Sequence, residues 1–454
     1  MVLEFPGLRI VLILLWFVPA SLLFLSCGSS SSTGTTPQIP SRAFVSQDVT
    51  AGVVSAGLLV IDADKDARAV QSPISAGATP GMMVVTPNRT QTLVFSHTGN
   101  TLALVSNSSE SASAGVTLPG FTESFVVSPD SQTAYVAVPT APQVLQSPGA
   151  VEVVNLNNGT ITAQIFCPPG TPNPPVCVYS PSVPPGTNLQ YHYMAIGNSG
   201  NRLLAFSDNS NAVAVITPAN LGTNRPVITF IDGFDRPVAA FFTSNDSTAY
   251  IVNRGAEGGG TQASVQTLDL TQDPPVAGAA TAVPAATVAI VSGATMYLAG
   301  TPVPNPDPLP CTGQTTAATS CGLLTVFDLT SMTVLNPDPI VITDGYHNRM
   351  ALGANGQLFI GAHQCTEIVP SIPPVPGEEV RGCLSIYNAQ TGAVVIPPDS
   401  GDVTGIQPIA KRNIVYLVQG GELRIYDTTT DQLLPEDKQI DIGGEAVDVK
   451  TVDF

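Results

Sequence analysis

The chain is sparing with the residue types that do chemistry: its 454 residues hold 16 Lys and Arg, 4 His and 7 Cys. A hydrolytic centre needs a general base and a group that stabilises developing negative charge. His347, Arg349, Arg236 and Glu445 are of the right types, and Thr79 and Glu123 add hydrogen-bonding groups. Nothing in their spacing demands that they meet. His97, His192, His347 and His363 are scattered, where a redox-metal centre would cluster them. Asp62-Ala63-Asp64-Lys65-Asp66 offers oxygen ligands at alternate positions, as calcium loops do. It lacks Gly at the sixth position and Glu at the twelfth, and Lys65 adds a competing charge, so the run reads more simply as an exposed turn. No Gly-x-Ser-x-Gly elbow, phosphate-binding loop or haem-attaching Cys-x-x-Cys-His occurs, so no cofactor is expected.

The cysteines point to an address. Residues 10–25 form an apolar run behind Arg9. As a helix it would span about 24 Å, short of the roughly 30 Å hydrocarbon core of a bilayer, and Pro19 interrupts it. That favours a signal peptide over residues 1–26. The run ends in Ser26-Cys27-Gly28, which is similar to the lipobox of bacterial lipoproteins. The resemblance implies lipidation of Cys27 and anchorage to a membrane of the cell envelope. Gly28 in place of Asp implies outer-membrane sorting if the host has two membranes. Residues 27–42 are rich in Ser, Thr and Gly and read as a flexible tether of about 20 Å. The other six cysteines fall into local pairs, Cys167 with Cys177, Cys311 with Cys321 and Cys365 with Cys383. Six cysteines allow 15 pairings, and nearest-neighbour pairing closes the three most irregular insertions. Such disulfides belong to an oxidising compartment. Metal ligation would want tighter spacing and nearby His.

The elements that must position these residues repeat along the chain. Ser128-Pro129-Asp130-Ser131-Gln132-Thr133-Ala134-Tyr135-Val136 gives the pattern most clearly: a strand ends in a polar turn and a second strand leaves it. A third strand follows and stops at a polar residue. Eight such stops occur, at Asp62, Asn107, Asn155, Thr217, Asp269, Asp328, Asn388 and Asp427. They lie about 40 to 60 residues apart, the spacing of a four-stranded propeller blade. Asp or Asn there can bond its own backbone two residues on and start the next turn. The first copy begins at residue 43 without an innermost strand, and residues 445–452 supply a spare one. The expected fold is therefore all-β: a closed β-propeller over residues 43–454, with eight four-stranded blades and the C-terminal strand closing the ring on the first. Seven blades would follow if the Asn107 or Asn388 copy were an elaboration.

The Ser-Pro-Asp-x-x-x-x-Tyr-Val hairpin and the Val153-Val154-Asn155-Leu156 strand end resemble the YVTN-repeat family of β-propellers, which is related to lactonase-like propellers. The resemblance implies the fold and raises a lactonase-like hydrolase as an alternative function, but no catalytic residue of that family maps onto this chain. The only Trp is Trp16, ahead of Cys27, which leaves no tryptophan for a quinoprotein docking motif or a sialidase Asp-box.

In a propeller, loops joining second to third strands open on the same face as the links between blades. Residues 139–149, 255–262, 300–321 and 363–383 are of the first kind and 167–188 of the second. Every long insertion and every cysteine pair thus falls on one face, expected to recognise an unknown protein or small molecule between blades three and seven. Thr79, Glu123, Arg236, His347, Arg349 and Glu445 would ring the channel mouth on that face. The net charge of −18 makes nucleic acid an unsuitable partner. The expectation is a monomeric, envelope-anchored binding or scaffold module without catalysis; the alternative is hydrolysis at the channel mouth.

Overall fold

The tight turn of each copy has a defined internal chemistry. Ser128 Oγ donates to Asp130 Oδ1 (2.5 Å) and accepts from Thr133 N (3.0 Å), while Asp130 Oδ1 also accepts from Gln132 N (3.0 Å). Thr86 with Asn88, and Thr243 with Asn245, repeat the same three bonds. Each turn then passes through a left-handed residue: Arg89 (φ 58°), Ser131 (φ 61°) and Asp246 (φ 57°). Short polar side chains that bond locally make such turns self-setting, and the turn fixes the register of the two strands.

The computed structural model describes residues 39–48, 56–141, 149–167, 176–183, 189–302, 321–366, 382–435 and 438–453. Pro40–Phe454 forms one compact unit. Its strands assemble into eight sheets of four antiparallel strands, two of which gain a fifth. The innermost strands of blades two to eight are Pro80–Val85, Ser124–Val127, Tyr191–Ile196, Pro237–Phe242, Val288–Ser292, Tyr346–Leu352 and Val403–Pro408. Blade one takes its innermost strand, Glu445–Thr451, from the C-terminus, paired antiparallel with Arg42–Asp48. The copies ending near Asn107 and Asn388 are full blades, so the count is eight.

The polar stops act as expected in six blades. Asp62, Asn155, Asp269, Asp328, Asn388 and Asp427 each accept a bond from the backbone N–H two residues on. Asn107 is buried and does something else: it accepts from Thr92 Oγ1 (2.7 Å) and donates to Arg89 O (2.8 Å), tying the third strand back to the first hairpin. At Thr217, the departure from Asp/Asn/Ser, the chain enters a 3-10 turn, Pro218–Asn220.

The core lies between successive sheets. Leu104, Val136 and Leu156 pack blade two on blade three; Leu59, Tyr416 and Ile425 pack blade eight on blade one. Second and third strands have neighbours on both faces, so Gly57–Asp62 and Ile414–Gln419 are buried throughout. Fourth strands face solvent, as the mostly exposed Val276–Ala282 shows. Among the described residues no helix is long and apolar enough to cross a membrane. Residues 10–25 and Cys27 lie outside the described residues.

Candidate functional site

Every innermost strand starts at the face where the second-to-third loops and the blade links open, so that face surrounds the channel mouth. Cys167–Cys177 and Cys365–Cys383 are disulfides, with Cα atoms 5.8 and 5.4 Å apart. Cys321 is also disulfide-bonded, and Cys311 lies outside the described residues, as do 142–148, 168–175, 184–188, 303–320 and 367–381. The 255–262 insertion is built around Asp235, which accepts bonds from Thr261 N, Thr261 Oγ1 and Gln262 N. Burial opposes ionisation of Asp235, yet these bonds hold its pKa below the ordinary value.

The mouth leads into a cavity of about 760 Å³ to which every blade contributes. Its shape follows from an irregularity repeated around the ring. In blades one, two, four, five, seven and eight the innermost strand carries one residue more than its partner near the mouth. Such bulges re-aim side chains and are common beside functional sites. Val447, Met82, Val238, Asn348 and Thr404 sit at these bulges and line the cavity. One wall is aromatic: Phe95 and Phe121 meet edge to face at 5.6 Å, with Phe121 46% exposed.

Of the residues expected at the mouth, Thr79, Glu123 and Arg349 line this cavity. Thr79 is pinned between Ser96 and Thr98. Arg236 borders a separate, smaller cavity and donates to Asp208 O. Glu445 is exposed and packs near Gly421. His347 is fully buried between blades six and seven, its Nε2 3.0 Å from Thr343 O; burial pulls its pKa down to about 4. His347, Arg349, Arg236 and Glu445 therefore do not converge on one point. Asn348 is the reason in blade seven: the bulge follows His347 and resets the alternation, so His347 turns into the interface and Arg349 faces the channel.

The structure instead brings together residues that lie far apart in sequence. His192 Nδ1 stands 3.1 Å from Glu123 Oε2 and Nε2 3.5 Å from Asp208 Oδ2, and Arg254 pairs with the other oxygen of Asp208. The hydrogen bond to Glu123 raises the His192 pKa against the cost of burial, and the same bond lowers that of Glu123. Beside them the hydroxyls of Tyr193 and Tyr346 meet at 2.7 Å, both pushed up by burial. Glu257 accepts from Thr301 N at 2.9 Å, and burial pushes its pKa up to about 7. Position at the start of an innermost strand was the one sequence signal that marks His192.

On the blade seven–eight side, Arg349 Nε donates to Thr404 O (2.8 Å) and Nη1 to Asn348 O (3.1 Å). Among the described residues Arg349 has no carboxylate partner. Asn348 Oδ1, Thr404 Oγ1 and His363 Nε2 are buried without a hydrogen-bond partner, and all three residues line the cavity. His363 Nδ1 lies 3.2 Å from Asp402 Oδ2.

Among the described residues no group of three or more His, Cys, Asp or Glu side chains is arranged to hold a metal ion. In the 62–66 run the carboxylates diverge. Asp62 pairs with Lys65 (2.8 Å), whereas Asp66 takes Arg412 (2.6 Å) and Tyr416 Oη (2.5 Å) across the seam between blades one and eight.

No family model matches the chain, and no curated protein matches it. Among solved structures 1154 chains match, a breadth that belongs to an architecture rather than an activity. Dihydro-heme d1 dehydrogenase NirN, in complex with DHE, aligns at a TM-score of 0.58 and 12% identity over 91% of this chain and 76% of that one. The likeness is one of fold. A Myceliophteria thermophila Cps50 (Swd1) β-propeller domain aligns at 0.48 and 8% identity, over 77% of this chain and 95% of that one. A protein of unknown function from Desulfotomaculum acetoxidans aligns at 0.46 and 15%, over 78% and 94%.

Proposed function

We propose that the chain is an exported, lipid-anchored monomer that binds a small molecule in its central channel, reached from the loop-rich face. The observation that carries this is the cavity. It is about 760 Å³, lined from all eight blades, and combines an aromatic wall with the polar side chains of Thr79, Glu123 and Arg349. Ligand pockets have this size and this mixture. Export is supported by the disulfides, which persist in oxidising compartments, and by the lipobox-like Ser26-Cys27-Gly28. Binding without turnover is favoured because the four residues wanted for hydrolysis do not meet. A ligand-observed NMR screen tests the binding: saturable hits on the wild type should weaken in Phe121→Ala, and a screen without such hits refutes it. Mass spectrometry of the mature N-terminus tests the anchor, since an unmodified Cys27 removes it.

A hydrolytic reading rests on one pair. A carboxylate on Nδ1 of a His fixes the tautomer that leaves Nε2 as a base, and Asp402 stands so to His363 beside the cavity, with Nε2 itself enclosed, so the ring must turn for Nε2 to reach a substrate. Turnover of a lactone or ester panel that disappears in Asp402→Asn establishes it; a wild type without turnover ends it.

A further inference from the structure

From the same cavity we infer the ligand's class: an organic monocarboxylate with an apolar or aromatic body. This rests on the binding reading above. Arg349 is the only Arg or Lys that lines the cavity among the described residues. Two other cationic groups near the mouth are matched, His192 to Glu123 and Arg254 to Asp208, and Arg236 borders a separate cavity. Arg349 gives its resolved bonds to backbone carbonyls alone, which orients the guanidinium without neutralising it. A carboxylate answers such a group, because charge-assisted bonds to guanidinium are about twice as strong as neutral ones.

The net charge and the opposite wall refine the class. A dianion is disfavoured: one arginine balances one charge, Asp402 stands close by, and the chain carries −18. The body of the ligand is set by the opposite wall. In an eight-bladed ring blade three faces blade seven, and Phe121 leads into blade three. A chain or ring extending from Arg349 across the channel meets Phe95 and Phe121.

Isothermal titration of the full chain with 2-hydroxy-4-phenylbutanoate and 2-hydroxy-6-phenylhexanoate, their methyl esters and phenyl phosphate tests this. At least one acid should bind tenfold or more tightly than its ester, and Arg349→Met should bring the two affinities together. The acid–ester comparison on the wild type stands even if Arg349→Met fails to fold. Equal affinity for acid and ester, or tighter binding of phenyl phosphate, overturns the carboxylate assignment and leaves the channel as a binding site. Failure of every acid and ester to bind overturns the assignment, and a screen that also lacks hits with unrelated compounds takes the channel reading with it.

Discussion

Between Glu123 and Asp208, His192 gains stability from being charged, and the linkage fixes how that gain varies with pH. Its folded pKa is raised above the ordinary 6.5, so its contribution is complete below about pH 6.5 and is lost as pH climbs through the folded value. Glu123, depressed below 4.5, contributes above that pH and loses its share as pH falls through its own folded value. The clamp joining blades three and four is thus complete from mildly acidic to near-neutral pH. Histidine NMR should place His192 above 6.5, and Glu123→Gln should bring it down; a wild-type value at or below 6.5 contradicts the clamp. His347 carries the opposite sign. With its folded value near 4, it favours the folded state above pH 6.5 and progressively withdraws that support between pH 6.5 and 4. His347→Gln should therefore lose less Tm than the wild type between pH 7 and 5. Equal losses in calorimetry would assign the acid sensitivity elsewhere.

Strands and loops carry the next level. Cys365–Cys383 staples the ends of the 367–381 insertion beside the innermost strand of blade seven. In the chain-entropy model a loop of this length is worth about 3 kcal/mol, so Cys365→Ser/Cys383→Ser should lower unfolding stability by up to that amount in a urea titration; an unchanged midpoint means the staple constrains nothing in the unfolded chain. Pairing of these cysteines was legible in sequence because each bracketed one loop. The blades were legible too, since second and third strands are buried on both faces and read as unbroken apolar runs, and Asp or Asn marks their ends. The channel was legible only in part. A side-chain alternation of period two places every residue of a strand, but one bulge inverts the placement beyond it. No residue type announced the bulges at Val447, His192 or Asn348, so His347 was expected at the mouth and lies in an interface, while His192 went unremarked among scattered histidines. Asp208 and Arg254 were invisible for another reason: they reach the site from the ends of second strands, where nothing in a single copy shows which neighbouring blade they will meet.

At the scale of the whole ring, stability depends on one seam. Each blade is packed on two neighbours, and an open ring would expose two sheet faces and an unpaired edge. The seam is held by Glu445–Thr451 against Arg42–Asp48 and by a knot of charge: Arg42 joins Asp453 (2.6 Å) and Glu110 of blade two (2.7 Å). Buried Asp448 adds a link, accepting from Met83 N at 2.9 Å, also in blade two. Arg412 and Asp66 close the far side of blade one onto blade eight. Residues at the two ends of the propeller thus tie three blades together, and removing the last ten leaves blade one with three strands and takes away the innermost strand that blades eight and two both pack against. A chain ending at Gly444 should lose cooperative unfolding and become sensitive to limited proteolysis, and a synthetic peptide of residues 445–454 should restore part of its resistance by strand addition. Asp453→Asn, which keeps the strand and weakens only the knot, should cost about 2 kcal/mol. If the truncated chain melts as cooperatively as the full one, closure is ornamental, and stability resides in the pairwise packing of blades.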